Sequence, residues 1–186
     1  MKREEKLKSA ELNKAAEILK RGGVVVFPTD TAYGIGCVWN NELAKTRISK
    51  IKNSNQNFPI LVSSFNQLHQ IANINGPAQH LINKYWPGGL TLIVESKHDG
   101  KKIGVRMPNS EVVQALIEIT GVPLIGTSAN FHGKKTPTAY KDLEKEFLKK
   151  ADFVVRGVCE LKQESTVVDT TVVPLRILRQ GAVKIL

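Results

Sequence analysis

The chain has 186 residues, 41% of them hydrophobic, and its 27 Lys+Arg outweigh 17 Asp+Glu to give a formal net charge of +10. That length and apolar content suit one domain with its own core and exclude a chain disordered throughout. No apolar run reaches membrane-spanning length, and two cysteines are too few for a disulfide framework.

The N-terminal stretch, MKREEKLKSAELNKAAEILK, is charged and helical in pattern. It lacks the apolar centre of a secretory signal, so a cytoplasmic protein with no membrane association is expected. Ser9 reads as an N-cap, Leu12, Ala15, Ala16 and Leu19 follow helical spacing, and Gly22-Gly23 supplies the stop. Val24–Phe27 is a short all-apolar strand of the kind covered on both faces. Leu43, Ala44, Ile48 and Ile51 mark a second helix, and Phe58–Val62 a strand. Pro77 opens a further helix, stopped by Pro87-Gly88-Gly89. Leu90–Glu95 and Ile103–Met107 read as paired strands joined at His98-Asp99-Gly100. Val112, Val113, Leu116 and Ile117 mark a helix ending at Gly121. PLIGTSAN then reads as a strand running into hydroxyls, Tyr140–Lys150 as a charged helix, and DFVVR, STVVDTT, PLRILR and AVKIL as four short strands. Interleaved helices and strands followed by clustered strands predict an α/β fold. We expect a single domain over residues 1–186, built on a twisted, mixed parallel and antiparallel sheet flanked by helices.

Several familiar chemistries are excluded. A dinucleotide fingerprint beginning at Gly34 would need glycine where Trp39 stands. HGKKT (His132–Thr136) is not a phosphate-binding P-loop, because Gly126 is too far upstream and Pro137 stands where the helix would run. There is no nucleophile elbow, and His69, His80, His98 and His132 read as surface or packing residues. Cys37 follows the glycine turn and is a candidate nucleophile, but it reads rather as a small buried residue. No CxxC or HExxH spacing points to zinc, and no residue is assigned as a metal ligand.

What remains is a recurring theme: a strand followed by side chains suited to anions. PTDTAYG (Pro28–Gly34), SKIK (Ser49–Lys52), VRMP (Val105–Pro108), GTSAN (Gly126–Asn130), STVVD (Ser165–Asp169) and ILRQG (Ile177–Gly181) all have this character. Arg106 offers a planar fork for a carboxylate or phosphate. Lys52 and Arg179 suit a polyphosphate, and Thr29, Thr31, Ser128, Asn130 and Ser165 suit a small polar substrate. Ligands of open α/β sheets lie beyond strand ends, so the site is expected there, with glycines admitting the ligand to the backbone. Each residue has a bland alternative: Asp30 and Asn130 as turn residues, Arg106 paired with a surface acid. HGKKTPT (His132–Thr138) reads as a mobile edge of the site.

These motifs, PTDTAYGIG, Ile51-Lys52, WPGGLTLIV, VRMPN, GTSAN, STVVD and LRQG, resemble in order and spacing those of the YrdC-like family of L-threonylcarbamoyladenylate synthases. The resemblance runs from about Glu11 to the C-terminus and looks like the short form without an additional C-terminal domain. It implies a nucleotidyltransferase that makes threonylcarbamoyl-AMP and pyrophosphate from L-threonine, bicarbonate and ATP. The product is passed to the machinery that forms N6-threonylcarbamoyladenosine on tRNA. By position, Thr31, Arg106 and Ser165 are implied to hold threonine, and Lys52, Ser128, Asn130, Thr136 and Arg179 to hold ATP. Lys52 and Arg106 are the implied catalytic pair, and Mg²⁺ is expected with the ATP.

The chain departs from the family at Ser54, where an arginine is expected to contact the nucleotide. Losing one charge-assisted contact costs roughly 1.5–3 kcal/mol, or about ten- to a hundredfold. Arg47 and Lys50 are the nearby substitutes, though a helix must turn at least one of them away. Serine also stands at Ser63, where relatives often carry histidine. Two other classes compete. One is a non-catalytic RNA-binding protein, consistent with the net charge but short of stacking aromatics. The other is a carbamoyl-adenylate-handling domain like that of hydrogenase-maturation carbamoyltransferases, whose zinc-binding and acylphosphatase-like segments have no counterpart in this sequence.

Overall fold

A computed structural model describes residues 2–54 and 57–185. The elements run α1 (Lys2–Lys20), β1 (Val25–Pro28), β2 (Tyr33–Val38), α2 (Glu42–Lys52), β3 (Ile60–Leu61), α3 (Phe65–Ile71), β4 (Ala72–Asn73) and α4 (Gly76–Tyr85). They continue with β5 (Leu90–Ser96), β6 (Lys102–Arg106), α5 (Glu111–Thr120), β7 (Leu124–Ser128), α6 (Lys145–Leu148), β8 (Phe153–Val154), β9 (Thr166–Asp169) and β10 (Arg176–Arg179). Four helices begin at a polar cap: Asn41, Ser64, Asn75 and Ser110 each accept a backbone N–H from the first turn. Gly22 and Gly121 close α1 and α5 with positive φ of 82° and 77°.

The strands form one mixed sheet in the order β10-β9-β5-β6-β3-β7-β2-β1-β8, with β4 on β5. β1 pairs parallel with β8, β3 with β6 and β5 with β9; the other pairings are antiparallel. Alternation along each strand divides the sheet into two unlike faces. Val24, Val26, Ile60, Leu90, Leu92, Val94, Val105 and Val168 point into one core, closed by α2, α3 and α4 through Ile48, Leu68, Leu81 and Ile82. Val25, Phe27 and Leu124 point the other way, under Ala15, Ala16 and Leu19 of α1 and Val113, Leu116 and Ile117 of α5. So β1 is covered on both faces, as its sequence predicts. α1 and α5 reach only one end of their face. Over β6, β5, β9 and β10 that face is open, and the alternate residues Thr91, Ile93, Gly104, Arg106, Val167 and Asp169 look into a cleft.

Several expectations are corrected. Ser9 lies inside α1, since residues 2–8 are strong helix formers of mixed charge and nothing upstream stops the helix. The stretch 140–150 is a single turn of 3-10 helix (Tyr140–Asp142) followed by the four-residue α6, with Leu143 and Phe147 its buried side chains. Of the expected AVKIL strand, residues 182–185 form none and Leu186 lies outside the described residues: both edges of β9 are already taken by β5 and β10, and Ala182 N–H bonds instead to the carbonyl of Glu164 at 2.8 Å. Leu43 sits on the exposed face of α2. Cys37 is buried as expected, and burial pushes its thiol up to about 12.

Candidate functional site

The cleft encloses about 680 Å³ over the open face of the sheet. It runs from Thr29–Gly34 and Gly126–Ser128 on one side to Glu164–Val167 and Leu178-Arg179 on the other. The expectation that ligands lie beyond strand ends is only half met. Strand interiors form the floor, and Gly104 and Gly126 keep that floor low. The reading of the PTDTAYGIG glycines also divides. Gly34 lines the cleft, but Gly36 is a packing glycine, since a Cβ there would lie 2.1 Å from the Ile125 carbonyl oxygen.

Arg106, the last residue of β6, is 6% exposed. Its Nε donates to the Gly88 carbonyl at 3.0 Å and one terminal nitrogen to Thr31 Oγ1 at 2.8 Å, while the other pairs with Asp30. The alternative of a surface acid is thus corrected: the partner is an acid as buried as the arginine. Asp30 lies in the turn after β1, but its side chain does not hold that turn: Thr29 does, donating to the Ala32 carbonyl at 2.7 Å. Thr29 therefore accepts from Thr31, 2.9 Å away, and a hydrogen-bond chain runs from Arg106 through both threonines. Burial pulls the Arg106 guanidinium below its ordinary value and Asp30 opposes that. The second Asp30 oxygen is buried without a hydrogen-bond partner among the described residues.

Lys52 ends α2, because Asn53 adopts a left-handed φ of 49° and turns the chain. Its ammonium enters the cleft and donates to the carbonyls of Ser128 and Asn130 at 2.5 and 3.0 Å and to Asn130 Oδ1 at 3.3 Å. Asn130 in turn donates to the Lys134 carbonyl at 2.5 Å. Burial draws the Lys52 ammonium down to about 8, and Glu164 works against that.

Across the cleft, Arg179 Nε donates to the Ser165 carbonyl at 2.9 Å, and a terminal nitrogen donates to Ser165 Oγ at 3.0 Å. Ser165 Oγ also lies 2.9 Å from Thr91 Oγ1. The other terminal nitrogen of Arg179 pairs at 3.1 Å with Glu164 Oε1, which also accepts from Thr136 Oγ1 at 3.0 Å.

All the sequence-predicted site residues line this one cleft: Thr31, Lys52, Arg106, Ser128, Asn130, Thr136, Ser165 and Arg179. Arg47 and Lys50 do not. Arg47 turns to Asp152 at 2.6 Å, and Lys50 faces a separate basic hollow with Lys149 and Lys150. The further cation on the cleft wall is Lys102, paired with Asp169 at 2.9 Å. Sequence reasoning missed Thr91, Lys102 and Glu164. The alternation of LTLIVE already separates Thr91 from Leu90 and Leu92, but Lys102 and Glu164 are indistinguishable in sequence from solvated charges. Loop 132–138 is anchored rather than loose, with Tyr33 N–H on the Pro137 carbonyl at 2.9 Å beside the Asn130–Lys134 contact.

The same fold recurs in known proteins. A putative threonylcarbamoyl-AMP synthase of Methanocaldococcus jannaschii is 34% identical, covering 96% of this chain and 91% of its own length. The structure of Pyrococcus abyssi Sua5 complexed with L-threonine superposes with a TM-score of 0.85 at 33% identity. That alignment covers 91% of this chain but 54% of the Pyrococcus protein, so the chain spans about half of it. Escherichia coli YciO, described as uncharacterized, superposes at 0.83 with 28% identity, over 91% of this chain and 88% of that one. Residues 17–181 match the Sua5/YciO/YrdC family, described as “Telomere recombination”. The chain belongs to the Sua5/YciO/YrdC family.

Proposed function

We propose that the protein is an L-threonylcarbamoyladenylate synthase working in the cytoplasm, whose product serves tRNA modification. The observation that carries this is the pairing, in one cleft, of a buried arginine fork at Arg106 with a second cationic cluster at Lys52 and Arg179. Those are the two anions the reaction must bring together: an amino-acid carboxylate and a polyphosphate. The relatives called threonylcarbamoyl-AMP synthases and the threonine complex of the Pyrococcus protein support the same assignment.

In this reading Arg106 receives the threonine carboxylate, with Thr31 and Ser165 as hydroxyl partners. The threonine amine, once deprotonated, adds to carbon dioxide released from bicarbonate and forms a carbamate. A carbamate oxygen then attacks the α-phosphorus of ATP, and pyrophosphate leaves. Neither step requires a protein nucleophile; both require alignment and shielding of charge. Lys52, Ser128, Asn130, Thr136 and Arg179 supply that shielding along the phosphates. Mg²⁺ would arrive on the ATP. Its ligands would be chiefly phosphate oxygens, as the described residues contain no cluster of three His, Cys, Asp or Glu to cage it.

The test is pyrophosphate release from ATP and bicarbonate with L-threonine, with L-serine and with neither. Release that depends on threonine is expected. A folded protein that binds ATP but releases no pyrophosphate with threonine overturns the reading. A second reading, RNA binding, draws on the hollow lined by Arg47, Lys50, Lys149 and Lys150, which lies outside the cleft. It predicts salt-sensitive RNA binding that survives saturating ATP and threonine.

A further inference from the structure

Glu164 holds an unusual position for an acid. It lines a cleft whose other charged residues are mostly cations, and one of its oxygens, Oε1, receives both Thr136 Oγ1 and an Arg179 nitrogen. Those two donors stand on opposite walls, Thr136 in loop 132–138 and Arg179 at the end of β10. The backbone of Glu164 is fixed independently of its side chain. Its carbonyl accepts Ala182 N–H at 2.8 Å, and Gly181 packs so closely that a Cβ would lie 2.2 Å from that oxygen. Arg179 is likewise oriented without Glu164, through its two bonds to Ser165. The carboxylate is therefore a removable bridge between two walls that are each held by other contacts.

We propose that Glu164 is an internal stand-in for a phosphate, latching loop 132–138 to β10 until an incoming polyphosphate displaces it. A carboxylate oxygen and a phosphate oxygen accept the same charge-assisted bonds from arginine and hydroxyl. The Glu164 side chain is 37% exposed and that of Arg179 42%, so solvent screens the pair and lets it exchange. The Asp30–Arg106 pair, buried with no such access, cannot open in this way. Glu164 is thus a positioning residue that sets the selectivity of the site. A ligand carrying only one weak negative charge does not outcompete the latch, and a polyphosphate does. This inference rests on the assignment of Thr136 and Arg179 to ATP.

Two measurements on the full chain decide it. Amide exchange in residues 132–138 is followed in ligand-free wild type, Glu164→Gln, Glu164→Ala and Thr136→Val. Calorimetric titration with ATP and with inorganic tripolyphosphate is run on wild type and the two Glu164 variants. Loss of the latch is expected to speed exchange in Glu164→Ala and Thr136→Val, and to tighten ATP binding in Glu164→Gln by about three- to tenfold through loss of a like charge. A merely structural Glu164 gives the reverse, weaker ATP binding, and that result overturns the proposal. Unchanged exchange in both Glu164→Ala and Thr136→Val also overturns it. If wild type binds neither ATP nor tripolyphosphate, the synthase assignment falls, and ligand-free exchange alone decides whether the latch exists.

Discussion

The two ends of the cleft hold their arginines in opposite ways. Arg106 and its partner Asp30 have side chains 8% and 2% exposed, and the guanidinium is held on three sides by Gly88, Thr31 and Asp30. Arg179 and its partner Glu164 stand in partial contact with solvent, on a short edge strand and a loop. At the buried end the geometry is set before any ligand arrives, and water cannot screen the charges. At the open end the contacts are weaker and exchangeable. Under the proposed function the buried end would select one small amino acid and gain from rigidity, and the open end would admit a large, flexible nucleotide and gain from contacts that can be replaced.

The largest expected effect comes from breaking the buried end. Arg106→Ala should lower threonine-dependent pyrophosphate release by more than about a hundredfold, through loss of charge-assisted bonds. It should also destabilise the fold by about 3–5 kcal/mol, because Asp30 is left as an unpaired buried charge. Adding Asp30→Asn should restore most of the thermal stability and none of the activity. If the double variant regains activity, Arg106 does not hold the substrate.

Lys52 comes next, and its pH dependence separates binding from stability. In the folded protein its ammonium titrates near 8, below the ordinary 10.5, because it is buried. Below pH 8 folded and unfolded chains both carry the charge, and the folded one bears a burial cost. Between pH 8 and 10.5 the folded chain loses the proton first, so this contribution to stability improves as pH rises. ATP affinity should move oppositely, falling above pH 8 as the ammonium neutralises. Calorimetry across this range should show the fall in wild type, while Lys52→Met should bind ATP more weakly with a flatter profile. An identical slope in both proteins would assign the titration to another group.

Ser54→Arg tests the nucleotide contact that the family resemblance implies at that position. It should raise kcat/KM for ATP by about tenfold and by no more than about a hundredfold. No gain would mean that the site does not lack that charge. The smallest effect is that of Glu164→Gln, a few-fold change in ATP affinity beside the loss of Arg106.

Most of the fold was legible because its signals are local. Ala15, Ala16 and Leu19 do form the buried stripe of α1, with Leu12 half-buried beside them, and Gly121 does close α5. Where the sequence misled, a non-local contact or a missing competitor decided. Ser9 had the chemistry of a cap but no boundary to mark, and residues 182–185 had the composition of a strand but no free edge to join. The residue types at the site were legible too, since Arg106 and Arg179 end short strands, Thr31 follows one and Ser165 precedes one. Their partners were not. Nothing in PTDTAYG says that Asp30 turns inward to meet an arginine 76 residues away.

Period-two alternation and the caps and glycines of the helices are properties of neighbouring residues, so the sequence by itself determined the α/β class, the two-sided burial of β1 and the supply of anion-binding groups. Which face stays open was decided only in the tertiary structure, because it depends on how far α1 and α5 reach across the sheet. Pairing was decided there as well. Whether a charge such as Glu164, Asp30 or Lys50 meets solvent, a cation or a substrate depends on what distant chain is packed against it, and no local pattern carries that information.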